Sequence, residues 1–175
     1  MNLQTQIGDR RNSAANYHQL GYVAQELREY GEARQNYQQA LAISIEFGNR
    51  HSQARTYHQL GMVAEELREY GEARQNYQQA LAIKIEFGDR YSQARTYEGL
   101  GCVAEKLEEF PEAKNNFLQA LRIRNEFKNE YGIETYTLPN FARLYQTTKD
   151  ESLLEEISQV LGIPVEEVRQ NLKST

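Results

Sequence analysis

The run Arg28-Glu29-Tyr30-Gly31-Glu32-Ala33-Arg34-Gln35-Asn36-Tyr37-Gln38-Gln39-Ala40-Leu41-Ala42-Ile43 occurs again, letter for letter, from Arg68 to Ile83. A verbatim copy forty positions on fixes a period, and a period of this size marks a stacked repeat architecture. Working outward, residues 10–49, 50–89 and 90–129 align without a gap. The first pair shares 31 of 40 positions and the second pair 23 of 40, so the register holds although the third unit has diverged.

Each unit reads as two helices. In the second, Ala54, Tyr57, Leu60, Gly61, Ala64 and Leu67 fall at i, i+3, i+4 spacing and define one face of a first helix. Arg68-Glu69-Tyr70-Gly71 interrupts it, and Gly71 is expected to take the positive φ of the turn. Ala73, Tyr77, Ala80, Leu81, Ile83, Ile85 and Phe87 then mark a second helix that Gly88-Asp89 ends. In the third unit Pro111 replaces Gly71, which a first helical turn tolerates. Gly61, Ala73 and Ala80 are small enough to let two helices approach to roughly 8 Å. One hairpin cannot bury both of its apolar faces, so neighbouring units must stack. The expected fold is all-α, a right-handed α-solenoid of antiparallel helical hairpins.

Composition supports this and excludes several functions. Hydrophobic residues make up 39% of the 175-residue chain, a low share that suits a thin repeat array. Disorder is excluded by the regular recurrence of apolar groups, with 12 Tyr and 6 Phe to bury. The net charge of −5, with 20 basic and 25 acidic residues interspersed, argues against a nucleic-acid partner. No stretch of about 18 apolar residues exists to span a membrane. The first residues do not read as a signal peptide. The single Cys102 allows no intrachain disulfide, and a cytoplasmic location follows as the default.

The residue set resembles the tetratricopeptide repeat. Tyr17, Leu20, Gly21, Ala24, Ala33, Tyr37 and Ala40 carry the likeness in the first unit. Tyr57, Leu60, Gly61, Ala64, Ala73, Tyr77 and Ala80 carry it in the second, and Tyr97, Leu100, Gly101, Ala104, Ala113, Phe117 and Ala120 in the third. The family's usual unit has about 34 residues, so the second helix here is expected to be longer. The family's proline near the end of that helix is replaced by Ile45, Ile85 and Asn125. This long variant is similar to repeats of kinesin light chains, Pins-type adaptors, bacterial peptide-sensing regulators and the sensor arrays of bacterial signalling ATPases. The near-identity of adjacent units looks most like the last group.

The expected organisation is a partial second helix of a preceding repeat at 1–10, units at 11–49, 50–89 and 90–129, and a degenerate repeat with capping helices at 130–175. Leu3, Ile7, Gly8, Asp9 and Arg10 align with Ile83, Phe87, Gly88, Asp89 and Arg90, which suggests a fragment of a longer protein. In the last segment Phe141-Ala142 stands for Leu100-Gly101 with a one-residue shift, and Pro139 implies a kink or a late helix start. Asp150 is a plausible N-cap, Gly162 a helix stop and Pro164 the start of a last short helix.

The resemblance implies that first helices line a concave side. Its non-signature residues are His18, Tyr22 and Gln25, then Arg55, His58, Met62 and Glu65, then Arg95, Glu98, Cys102 and Glu105. An apolar strip of Tyr22, Met62 and Cys102 between charged edges suits an extended or helical peptide. Arg55 and Arg95 would hold a carboxylate. The expected function is a protein-interaction scaffold or sensor module within a larger intracellular protein. Self-association as a homodimer and regulation by a short signalling peptide are the alternatives.

No catalysis is expected. The sequence has no phosphate-binding loop, nucleophile elbow or metalloprotease helix. His18, His58 and Glu98 form a two-histidine, one-carboxylate set on paper. Equivalent positions in adjacent hairpins lie roughly 10 Å apart, whereas a metal needs its donors at about 2 Å. No metal and no cofactor is therefore expected, and Cys102 is read as a small apolar residue.

Overall fold

The computed structural model describes residues 3–174, with side chains from Arg10 onward. Every regular element among them is helical, mostly α-helix. The helices form two compact units, Met1–Phe87 and Gly88–Thr175.

The first unit holds two antiparallel hairpins. Helix α1 (Leu3–Glu26) packs on α2 (Tyr30–Glu46), and α3 (Arg50–Glu66) on α4 (Tyr70–Glu86). The turn inside each hairpin is set by Arg28 and Arg68, at φ 60 and 61. The amide of the next residue closes a six-residue loop onto the helix, from Glu29 N to Ala24 O and from Glu69 N to Ala64 O, each 2.8 Å. The sequence reading had assigned that positive φ to Gly71. Gly71 instead lies in the first turn of α4, where helical angles suit any residue. Glycine does take the left-handed angle between α2 and α3, at Gly48 (φ 64). Asn49 then caps α3, its side chain accepting the Ser52 amide at 3.0 Å.

Hairpin packing rests on a glycine under an aromatic ring. A Cβ added at Gly61 would stand 2.7 Å from Tyr77 Cδ1, and one at Gly21 2.7 Å from Tyr37 Cδ1. Only a bare backbone leaves room for these fully buried rings. Arg10–Glu46 and Arg50–Glu86 ion pairs close the open ends of the two hairpins. Both are exposed, so each contributes at most about 1 kcal/mol.

One boundary differs from the sequence reading. Helix α1 runs unbroken through Gly8, Asp9 and Arg10, where a helix end was expected. Leu3 and Ile7 have side chains outside the described set.

The second unit begins with a third hairpin, α5 (Arg90–Lys106) against α6 (Phe110–Glu126). Asp89 caps α5 through the Ser92 amide, and Glu108 takes the turn position at φ 59. A short α7 (Glu130–Gly132), a π-helical turn (Ile133–Thr137) and α8 (Leu138–Thr148) make one continuous helical stretch. The π turn inserts one residue. Beyond it the repeat register is therefore forty-one, and Phe141 and Ala142 stand in the places of Leu100 and Gly101. Pro139 sits in the first turn of α8. Helices α9 (Glu151–Leu161) and α10 (Val165–Ser174) follow. Their Leu153, Leu154, Ile157, Val168 and Leu172 are buried against Phe117, Leu118, Leu121 and Phe141, which closes this end of the unit.

Candidate partner-binding surface

Within the first unit, one turn of each first helix divides into packed and open residues. On α3, Ala54, Leu60, Gly61 and Ala64 are buried in the hairpin stack, Arg55 is exposed, and Met62 and Glu65 are half-buried. On α1, Tyr22 is 48% exposed and Gln25 half-buried. Gln25 and Glu65 are oriented from below. Gln25 Oε1 accepts the Tyr37 hydroxyl at 2.9 Å, and Glu65 Oε2 accepts the Tyr77 hydroxyl at 3.0 Å. Tyr37 Oη also accepts from Gln59 Nε2 at 3.1 Å, which ties α3 to the first hairpin.

The histidines of the predicted surface lie inside. His18 and His58 are 7% and 6% exposed, packed on Tyr37 and Tyr77 with ring centroids 5.2 and 5.4 Å apart. His18 Nδ1 lies 3.3 Å from Thr56 Oγ1, whose own proton goes to Ser52 O. The ring nitrogen is therefore the donor. Burial, and then the cation of Arg55, push the imidazole down to about 4, so His18 is neutral at neutral pH.

In the second unit Arg95 is exposed and Glu98 is buried. Glu98 accepts two hydrogen bonds from Arg124, at 2.8 and 2.6 Å, and one from the Thr137 hydroxyl at 2.6 Å. A fork-on-fork pair of this kind fixes both side chains. Arg124 also lies over the Tyr136 ring, 5.5 Å from its centroid. Glu98 thus serves the interior, pinning the π turn to α5, and has no oxygen left over for a ligand.

Cys102 and Glu105 are half-buried in this unit, beside two residues that sequence reasoning missed. Arg143 grips Glu105 in a bidentate ion pair of 2.6 to 2.9 Å and donates to Asn140 Oδ1 at 2.9 Å. The Cys102 thiol is 3.7 Å from Asn140 Oδ1 and 3.8 Å from Arg143 Nη2. The sequence signal for Arg143 is the forty-one-residue register, which puts it in the column of Tyr22, Met62 and Cys102. Among the described residues no group of three His, Cys, Asp or Glu side chains gathers to hold a metal. No helix among them is long and apolar enough to cross a membrane.

The hairpin geometry, the glycine-on-ring contact and the forty-residue period agree with the family model described as tetratricopeptide repeat, which matches residues 11–86 and 52–126. The chain belongs to the tetratricopeptide repeat family. Among solved structures it is similar to BtubC (BKLC) from P. vanneervenii, with a TM-score of 0.63 and 17% identity over 99% of this chain and 83% of that one. At that identity the likeness is one of fold. A comparison with curated proteins gives no significant match. Tetratricopeptide repeats are protein–protein interaction modules, and this chain has their architecture.

Proposed function

We propose that this chain binds a peptide or helix of a partner protein along the open columns of its first helices. The observation that carries the reading is the division on those helices. Most signature residues are consumed by packing, while Tyr22, Arg55 and Arg95 remain exposed and Met62, Cys102 and Glu105 are half-buried, Glu105 beneath the Arg143 guanidinium. Gln25 and Glu65 are held in place by tyrosine hydroxyls, so a ligand meets a preorganised surface and less ordering entropy opposes binding. The exposed Arg55 and Arg95 suit an acidic side chain or a terminal carboxylate. His18, His58 and Glu98 support this surface from within. The module acts inside the cell as part of a larger scaffold or sensor protein, in keeping with its single cysteine.

The test is selection of binders from a displayed library of acidic dodecapeptides, followed by the double variant Arg55→Glu, Arg95→Glu. The reading expects selected peptides to lose binding to that variant while its helical circular dichroism is unchanged. Unaltered affinity would remove the arginine edge from the proposal.

A further inference from the structure

On α5 the acid of the open column is already occupied. Glu105 stands at the place of Gln25 on α1 and Glu65 on α3. Those two accept a tyrosine hydroxyl from beneath, at 2.9 and 3.0 Å. The residue matching those tyrosines in the third hairpin is Phe117, which has no hydroxyl. Support for Glu105 comes from α8 instead. Arg143 sets its Nε 2.9 Å from both carboxylate oxygens and its Nη2 2.6 Å from Oε2. The same Nη2 donates to Asn140 Oδ1 at 2.9 Å and lies 3.8 Å from Cys102 Sγ. The guanidinium thus lies across two residues of the proposed partner surface. Beneath it the Glu105 side chain is only 9% exposed, whereas the Arg143 side chain is 44% exposed.

Glu105 neutralises Arg143, so the pair adds little to an edge that attracts acids. What the pair does define is a guanidinium site. Its carboxylate is set for fork-on-fork bonding, and Asn140 Oδ1 is a third acceptor. Removing Arg143 with nothing in its place would leave a half-buried carboxylate uncompensated, which is unfavourable. Exchanging it for another guanidinium leaves every acceptor paired. Nearly half of the Arg143 side chain is in water, and an ion pair open on one side is held weakly.

We infer that Arg143 is a built-in competitor on the second unit's part of the partner surface, and that it yields to an arginine side chain of the partner. The inference rests on the partner-binding reading above and narrows it. The partner then carries an arginine for Glu105 as well as an acid for Arg55 or Arg95. A partner without that arginine finds the column over Cys102 and Glu105 closed, so Arg143 filters ligands by charge. A lysine fits less well, because an ammonium cannot reproduce the planar fork.

The probe is Nα-acetyl-arginine amide, which has a guanidinium and no carboxylate. It is titrated into the isotopically labelled full chain and followed by amide chemical shifts. Arg143→Ala should bind it at least about tenfold more tightly than the natural chain does, with perturbed amides at Cys102, Glu105 and Asn140. Adding Glu105→Gln should abolish that gain. The neutral isostere Nα-acetyl-citrulline amide should bind neither chain. Circular dichroism checks that Arg143→Ala is folded. If it is not, Arg143→Lys keeps the charge without the fork and should give a smaller gain of the same sign. Equal affinity for the natural chain and the variant overturns the inference. So does binding that survives Glu105→Gln, or no saturation of the variant by about 10 mM probe. Because the probe carries no acid, its failure leaves the test of Arg55 and Arg95 standing, and failure of that test leaves this one standing.

Discussion

The first and third hairpins solve one problem in two ways. At the place where a side chain of the first helix looks into the stack, hairpin one has His18 and hairpin three has Glu98. His18 is neutral, lies on Tyr37 and makes one hydrogen bond to Thr56. Across from it on the second helix, buried Ser44 turns its hydroxyl back onto Ala40 O. In hairpin three the facing residue is Arg124, and the neutral pair has become an ion pair closed by Thr137. The two substitutions stand twenty-six residues apart in the chain and make sense only together, because a buried carboxylate without its guanidinium would be an uncompensated charge. The second exchange is linked in the same way. Tyr37 and Tyr77 hold Gln25 and Glu65 from below, whereas Phe117 has no hydroxyl and Glu105 is held by Arg143 from α8. A repeat that has diverged in sequence has thus kept its packing by trading partners in sets.

This contrast can be broken at several points. The largest effect is expected from Arg124→Ala, which strands Glu98 in the interior and should cost about 3–5 kcal/mol in urea denaturation. Glu98→Gln combined with Arg124→Met removes both charges at similar volume and should recover most of that loss. Next comes the glycine under the ring. Gly101→Ala places a methyl group even closer to Phe117 than Gly61→Ala places one to Tyr77, and Phe117 is itself wedged edge-on against Phe141, 5.9 Å away. Both should destabilise by about 1–3 kcal/mol, and Gly101→Ala by the larger amount.

The last effect belongs to His18 and is seen only on acidification. Its folded value lies near 4, below the 6.5 of a free imidazole. As pH falls through 6.5 the unfolded chain takes a proton that the folded one refuses. Stability should therefore decline between about pH 6.5 and pH 4 and level off below. A His18→Gln variant should show a flatter profile in that window when urea midpoints are compared.

Much of the fold was legible in the letters, because a verbatim sixteen-residue copy leaves little freedom in register. The hairpins, the glycine and alanine contacts and the shift at Phe141 followed from it. The turn residue was misplaced because glycine is the usual occupant of a positive φ, yet Arg68 adopts it when a closing Glu69 amide holds the loop. The surface was less legible than the core. His18, His58 and Glu98 occupy non-signature positions, and spacing within one helix does not reveal what other helices set against them: Thr56 beside His18, Tyr77 on His58, and Arg124 and Thr137 around Glu98. Arg143 and Asn140 were hidden by the one-residue insertion at Ile133–Thr137, which displaces them from the forty-residue grid. Arg124 carries no local sign of its role, since its partner lies on another helix.

The claim that open columns on the first helices bind the partner is tested most directly by amide chemical-shift mapping. A peptide selected against the chain would be titrated into isotopically labelled protein. The account predicts that perturbed amides gather around Tyr22, Gln25, Arg55, Met62, Glu65, Arg95, Cys102 and Glu105, with second-helix surfaces such as Gln38, Gln39, Gln78 and Gln79 unmoved. Perturbations confined to those glutamines, or spread evenly over the chain, would contradict it.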